Sequence, residues 1–191
     1  MSVQMTPFEK LQNLAQRSVA LALGLPEQTV AQETLQGIGF ALAGHAFVAQ
    51  MGQVTEILDV PVLTRIPRVE SWVLGLANVR GRLVPVIDVA DLLGVESSVP
   101  LRQRRMLVVE HDDHPTGLIV DAVLGMQQLP HAAWQETTEL LPDALSALTD
   151  GSYVFQSKQW NLLQFNRLIQ SERFSAVAIG QSANKAIGLE S

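Results

Sequence analysis

The stretch that decides the fold spans residues 73–88 and reads VLGLANVRGRLVPVID. Two apolar runs flank a polar centre in which Gly81 suits a tight turn, because glycine adopts a positive φ without steric cost. The pattern therefore predicts a strand, a turn and a second strand. In the first strand, Asn78 and Arg80 would lie on one face and Ala77 and Val79 on the other, since successive side chains alternate.

The second run, residues 83–87, is apolar throughout, which is typical of a strand buried on both faces. Pro85 cannot donate to a ladder, so this strand is expected either at a sheet edge or with a bulge. Asp88 then suits the N-cap of a short helix over residues 89–93, and Gly94 would end that helix.

Two segments together carry a family resemblance. Val54-Thr-Glu56-Ile-Leu58 is an apolar segment that contains one carboxylate, and nine positions of the deciding stretch have a fixed spacing: Gly75, Asn78, Val79, Arg80, Gly81, Pro85, Val86, Ile87 and Asp88. These segments resemble the signature of the CheW family, the coupling proteins of bacterial chemotaxis. The resemblance covers residues 36 to 175, and Ala77 is smaller than the residue usual at that position.

The fold class follows partly from the pattern and partly from the resemblance. Many short strands with turn signals and little helix in the body predict an all-β domain. The resemblance goes further and implies two five-stranded SH3-like β-barrel subdomains in contact, with a helix at the C-terminus.

The resemblance also implies a function. It describes a non-enzymatic adaptor that joins the cytoplasmic tip of a methyl-accepting chemoreceptor to the regulatory domain of a CheA-type histidine kinase. It implies a cytoplasmic protein that is recruited to membrane-associated receptor arrays. In a regular strand, Val54 and Glu56 would share a face. The receptor-binding residues that the resemblance implies are Val54, Glu56, Asn78, Arg80 and Gly81.

The sequence predicts a helical extension over residues 1–35, the CheW-like domain over residues 36–178 and a flexible tail over residues 179–191. The extension begins with Thr6-Pro7-Phe8-Glu9, a helix start with a capping box. Its apolar stripe would either pack on the body of the chain or dock a partner. Ordinary chemotaxis adaptors begin close to the first strand, so the extension resembles the CheW-like proteins of type IV pilus twitching systems. The stripe consists of Phe8, Leu11, Leu14, Ala15, Val19 and Ala22.

The end of the body parallels its middle. A strand over residues 160–165, a cap at Asn166 and a helix from residue 167 repeat the pattern around Asp88, which predicts two similar β units. Trp72 is expected in the core. Asp121 interrupts an apolar run, so it is expected to hydrogen-bond locally or to lie on an exposed face.

Composition and motifs argue against several classes of function. The 191 residues carry a net charge of −6 and no cysteine, which excludes thiol catalysis and disulfides. No nucleophile, phosphate-loop or metalloprotease motif is present, so no enzyme and no cofactor are predicted. His111, Asp113 and His114 have metal-ligand chemistry but crowd one hairpin loop, so no metal site is predicted. No apolar stretch is long enough to insert into a membrane.

A basic cluster leaves one alternative function open. Arg80 and Arg82 could line one groove with the arginines of residues 102–105, and a small β-barrel with such a groove could bind nucleic acid or a small ligand. The other interpretation of Arg102, Arg104 and Arg105 is a solvated loop between two subdomains. The acidic net charge and the scarcity of nearby aromatic residues favour the solvated loop.

Overall fold

The computed structural model describes residues 33–111, 114–136 and 141–170, together with Phe8, Gln12 and Phe174. The chain divides into the units Met1–Glu33 and Thr34–Ser191. Phe8 and Gln12 are helical and exposed. The rest of the predicted N-terminal helix lies outside the described residues, as does the predicted tail over 179–191. Within the described residues, no helix has the length and apolar character that crossing a bilayer requires.

The described part of the second unit contains eleven strands and three short α-helices. Two single turns of 3-10 helix, Leu101–Gln103 and His131–Ala133, lie between strands. The helices are α1 (Val89–Leu93), α2 (Asp143–Ser146) and α3 (Phe165–Ile169). The strands are β1 (Thr34–Leu42), β2 (His45–Gln50), β3 (Val54–Asp59), β4 (Val73–Val79), β5 (Arg82–Asp88), β6 (Arg105–His111), β7 (His114–Val120), β8 (Ala122–Pro130), β9 (Trp134–Gln135), β10 (Thr149–Phe155) and β11 (Lys158–Leu163).

These strands form two sheets. The first has the order β8-β1-β2-β11-β10-β9, and the second has the order β3-β6-β7-β5-β4. The prediction of an all-β fold built from two similar β units is confirmed. The first sheet carries a sixth strand, the two-residue β9, which pairs with β10.

The chain is a duplication in which the two halves exchange strands. The first half runs β1-β2-β3-β4-β5-α1 and the second runs β6-β7-β8-β10-β11-α3, with β9 added. In each half the leading hairpin joins one sheet and the later strands join the other. The predicted repeat is therefore confirmed, but neither repeat is a sheet by itself.

The two halves match in fine detail. In one sheet Val86 lies opposite Gly117 in a parallel pair, and in the other Leu162 lies opposite Val48 in the equivalent parallel pair. The β3–β6 and β8–β1 ladders each carry one irregularity at the matching place. Both late hairpins turn through two residues of positive φ, 50° and 85° in the first turn and 50° and 60° in the second. The residues of these turns are Arg80 and Gly81, and Gln156 and Ser157.

Three apolar clusters hold the sheets together. The largest lies between the sheets and includes Phe40, Phe47 and Phe165, whose rings stack with centroids 5.7 and 6.4 Å apart. Each sheet also covers a smaller cluster with its other face, because side chains alternate along each strand. One of these smaller clusters holds Tyr153, and burial raises the pKa of its hydroxyl above 10.0. Trp72 is buried in the largest cluster, as predicted.

The β4–β5 hairpin and α1 largely match their predictions. Ala77 and Val79 are buried whereas Asn78 and Arg80 are exposed, so the predicted faces are confirmed. Leu83 is 69% exposed, so the expectation of burial at every position of β5 is wrong there.

The expectation that β5 lies at an edge or carries a bulge is wrong, because β5 lies inside the sheet and Pro85 precedes its ladder with β7, which begins at Val86. The irregularity in the β4–β5 ladder falls in the partner strand, between Val73 and Gly75 of β4. Asp88 caps α1 by accepting from the N–H groups of Ala90 and Asp91.

Two later predictions are wrong. The C-terminal helix begins at Phe165 with Gln164 in the N-cap position, so Asn166 is not the cap. Phe165 and Leu168 are three residues apart and both buried, so they share one face of the helix. The helix therefore begins two residues earlier than the predicted cap at Asn166 indicated. Asp121 is 6% exposed, and its partners are distant in sequence rather than local.

Candidate functional site

The β4–β5 turn is built by its own residues. Asn78 accepts a hydrogen bond at Oδ1 from the N–H of Gly81, at 2.8 Å. Arg80 and Gly81 both have positive φ, which a two-residue type I′ hairpin turn requires. A Cβ at Gly81 would meet nothing within 4 Å, so backbone conformation rather than space selects glycine there. The turn therefore presents Arg80 from a defined backbone.

Arg80 forms an ion pair across the two edge strands of the second sheet. Its Nε lies 3.1 Å from Oε2 of Glu56 on β3, whereas Arg80 itself stands at the end of β4. The Arg80 side chain is 80% exposed and that of Glu56 is 19% exposed. Glu56 thus holds the guanidinium at Nε while most of the side chain stays open to solvent. The structure brings together the two charged residues that the resemblance implied.

Val54 does not belong to this surface. The ladder irregularity at Thr55 places Val54 opposite Val109 but Glu56 opposite Val108. Neighbouring residues of one strand point to opposite faces, so Val54 and Glu56 also do. Val54 packs against the largest core. The prediction that Val54 and Glu56 share a face is wrong because one residue bulges out of the ladder between them.

One exposed apolar side chain lies beside the turn. Leu83 is directly opposite Asn78 across the hairpin and is 69% exposed. Sequence reasoning missed Leu83 as a surface residue. A two-residue turn at Arg80-Gly81 makes Asn78 and Leu83 cross-strand partners on one face, and that register was the available signal.

Arg82 begins β5 on the far side of the turn. Its Nη1 lies 3.0 Å from Oε1 of Glu110, near the end of β6. The Arg82 side chain is 56% exposed, so solvent screens this pair strongly. Two arginines beside one hairpin turn are therefore each paired with a carboxylate.

Arg104 is the centre of a buried polar network. Its Nη1 lies 2.8 Å from Oδ2 of Asp88, and its Nε donates to the carbonyl of Val99 at 2.7 Å. The side chain of Arg104 is 11% exposed. Asp121 lies 3.9 Å from the same Nε. The prediction of a solvated loop is wrong for Arg104, because two carboxylates remote in sequence converge on it.

The carboxylates of this network also organise the backbone around them. Asp121 accepts from the N–H of Ala43, at 2.7 Å, and from the hydroxyl of Ser97. The β1–β2 turn, the connector after α1 and the start of β8 therefore meet at one carboxylate. A buried charge is tolerated only when it is paired and hydrogen-bonded, and these bonds meet that requirement. The same bonds join segments from both halves of the chain.

The ion pairs argue against a basic groove. Arg80, Arg82 and Arg104 pair with carboxylates as described, and Arg105 pairs with Asp59. Paired guanidinium groups present little net positive potential to a phosphate backbone. No observation in the described residues favours the nucleic-acid alternative.

The predicted cluster in the β6–β7 loop falls partly outside the described residues. Asp113 and the side chain of His111 are not described. Among the residues that are described, no three histidine or acidic side chains lie close enough to hold a metal ion.

Comparison with known proteins identifies the family. A family model for the CheW-like domain matches residues 36–173. The chain belongs to the CheW-like family. The resemblance that the deciding stretch indicated is thereby confirmed.

Individual CheW-like proteins extend this result. Protein PilI of Pseudomonas aeruginosa is 45% identical over 180 residues, which cover 94% of this chain and 100% of that protein. The chemotaxis protein CheW of Helicobacter pylori is 27% identical over 134 residues, or 70% of this chain and 81% of that protein. The predicted likeness to the pilus-associated members is therefore confirmed.

A solved CheW structure shares the fold. The crystal structure of the scaffolding protein TtCheW from Thermoanaerobacter tengcongensis matches with a TM-score of 0.64 and 22% identity. The match covers 74% of this chain and 96% of that chain.

Proposed function

We propose that this CheW-like protein is a non-enzymatic adaptor that couples a methyl-accepting chemoreceptor to a CheA-type histidine kinase. The observation that carries the proposal is Arg80, which is exposed on a defined two-residue turn and anchored at one nitrogen by Glu56. Family membership supports the class of function, since its relatives bear the names of chemotaxis proteins and of a scaffolding protein.

The receptor-binding surface in this proposal consists of Glu56, Asn78, Arg80 and Gly81. The planar guanidinium can donate paired hydrogen bonds to a carboxylate or to backbone carbonyls of a receptor helix. Asn78 and Gly81 set the turn, and Glu56 sets the direction of the side chain. Val54 supports this surface from beneath, because it packs β3 onto the core rather than facing a partner.

The mechanism is geometric. The receptor tip occupies the surface around Arg80, and the homologous regulatory domain of the kinase occupies another face of the same rigid body. The adaptor fixes the distance and orientation between its two partners and thereby recruits the kinase to membrane-associated receptor arrays. No bond is made or broken by the adaptor itself.

We further propose that the receptor and the kinase belong to a type IV pilus twitching system. The support is the 45% identity with PilI over its full length, compared with 27% for the CheW of Helicobacter pylori.

The proposal is tested by measuring the affinity of the full chain for two purified proteins from the same organism: the receptor's cytoplasmic tip and the kinase's regulatory domain. Wild type should bind both at once. Arg80→Ala should lose about 1–3 kcal/mol of receptor affinity, roughly 5- to 150-fold, if Arg80 is a hot spot. It should bind the kinase domain as wild type does, because the turn lies apart from that face.

The matched control is Arg102→Ala, which removes another exposed arginine outside the proposed surface. This variant should bind both partners normally. Failure of wild type to bind either partner at about 50 μM would remove the coupling function. If Arg80→Ala binds the receptor as tightly as wild type does, the receptor binds at another surface of the protein.

A further inference from the structure

The strand-exchanged duplication gives the surface around Arg80 a counterpart on the first sheet. The turn Gln156-Ser157 corresponds to Arg80-Gly81, because each turn joins the last two strands of its half. Val123 corresponds to Val54, since Val123 lies opposite Phe40 and Val54 lies opposite Val109 at matching positions of the leading hairpins. This second location is free of the ion pair that covers the first, because Gly125 stands in the place of Glu56.

A groove of about 500 Å³ lies at this second location. Its apolar lining includes Val99, Leu124 and Leu141. Its polar lining includes His45, Lys158 and Asp121, and the Asp121 carboxylate already accepts from the N–H of Ala43 and the hydroxyl of Ser97. A volume of this size accommodates a few side chains of a peptide segment. Ser157 and Lys158 in this lining correspond to Gly81 and Arg82, whereas Gln156 and Gly125, which correspond to Arg80 and Glu56, do not line the groove.

Lys158, at the edge of the groove, lacks the carboxylate partner that its counterpart Arg82 has. Lys158 begins β11 as Arg82 begins β5, and Arg82 pairs with Glu110 at 3.0 Å. The position equivalent to Glu110 is Ala41, because both immediately precede the last residue of the first strand of their hairpin. Among the described residues no carboxylate forms an ion pair with Lys158.

Lys158 is nevertheless held in position. Its Nζ lies 4.4 Å from the ring centroid of Trp160, which is 6% exposed. A cation over a fixed aromatic face loses less conformational freedom on binding than a free lysine. The groove therefore combines an apolar lining with a positioned cation.

We propose that this groove binds an acidic side chain flanked by apolar residues on a segment of a partner protein. The partner's carboxylate takes the place that Glu110 occupies beside Arg82, and its apolar neighbours cover Leu124, which is 37% exposed. The surface is separate from the receptor surface and goes beyond the adaptor function, because neither the turn at Arg80 nor Glu56 takes part.

The test uses the full chain and a fixed panel of blocked twelve-residue peptides. Each peptide carries one glutamate flanked by leucines at spacings of one to four residues, and each has a twin in which glutamine replaces the glutamate. Binding is followed by NMR through the backbone amides of His45, Lys158 and Gln159. At least one glutamate peptide should bind with a Kd below about 1 mM and about three- to tenfold more tightly than its twin.

Two variants locate the effect. Lys158→Gln should lower the affinity of the glutamate peptide to that of its twin, whereas Arg102→Gln, which also removes one exposed positive charge, should leave it unchanged. The proposal is wrong if no glutamate peptide shifts the groove amides at about 1 mM. It is equally wrong if each glutamine peptide binds as tightly as its glutamate twin, or if the Lys158→Gln variant still prefers the glutamate peptide.

Discussion

At the scale of single residues, the position of each arginine depends on the carboxylate beside it. Glu56 fixes Arg80 at one nitrogen and leaves the rest exposed, which suits a contact with another protein. Arg104 is enclosed by Asp88 and Asp121 and serves the structure. The same residue type is therefore exposed in one place and enclosed in the other, with 80% and 11% of its side chain accessible.

Arg104→Met should destabilise the protein by about 3–5 kcal/mol, because Asp88 and Asp121 would keep their charges in a buried place without the cation. The measurement is the free energy of unfolding in urea. Arg102→Met is the control, since its exposed side chain should contribute within about 0.5 kcal/mol. Equal urea midpoints for the two variants would mean that the network contributes nothing.

The single tyrosine gives a pH prediction. Burial raises the pKa of Tyr153 above its usual 10.0 in the folded state. Tyrosinate absorbance of the native protein should therefore titrate at a higher pH than in guanidinium chloride. The folded state holds this proton more tightly than the unfolded state does. The free energy of unfolding should therefore be unaffected below pH 10 and should fall as the pH rises from 10 through the folded-state pKa. Identical native and denatured titrations would contradict the burial of the hydroxyl.

At the scale of elements, bulges decide which side chains reach the surface. The bulge at Thr55 turns Val54 toward the core, and the irregularity beside Gly75 brings β4 close to the preceding loop. Thr64 and Leu76 exchange backbone hydrogen bonds at 2.8 Å there, which covers part of the exposed edge of β4. Gly151 has a similar φ at the same place in the second half.

Gly75→Ala should destabilise the protein by about 2–4 kcal/mol, because its φ is +139° and a Cβ would collide with the carbonyl oxygen of Thr64. Gly81→Ala should cost only about 1 kcal/mol, since its φ is +85° but the space around it is open. Thermal or urea unfolding of both variants checks the difference. A Gly75→Ala variant as stable as Gly81→Ala would contradict the close approach of the loop.

At the scale of the whole molecule, strand exchange makes the two halves depend on one another. The first sheet takes β1 and β2 from the first half, and the second takes β6 and β7 from the second half. The largest core lies between the sheets and draws side chains from both halves. A cooperative fold is expected to require the complete domain.

Fragments 1–96 and 97–191 should therefore not fold alone, because each would expose the edges of an incomplete sheet. Mixed in equal amounts, they should reassemble into one complex with the native spectrum. Amide NMR dispersion of each fragment, alone and mixed, measures this. A dispersed spectrum with cooperative unfolding from either fragment alone would show that the halves are independent domains.

The sequence alone determined the features whose causes are local. The turn at Arg80-Gly81, the cap at Asp88 and the alternation around Asn78 each depend on residues within a few positions of one another. The family and the residues of the candidate surface also came from the sequence, through motifs at fixed spacing. The Glu56–Arg80 pair came only from that resemblance, because no local rule relates two residues that lie on different strands.

Only the tertiary structure decided what depends on distant partners. The exchange of strands, the enclosure of Arg104 and the burial of Asp121 each rest on contacts between segments far apart in the chain. The bulge that separates Val54 from Glu56 is a mismatch between two strands, so one strand's pattern does not reveal it. The physical reason is the same throughout: ladder register and charge burial are properties of pairs, and the pairs form only when the chain folds.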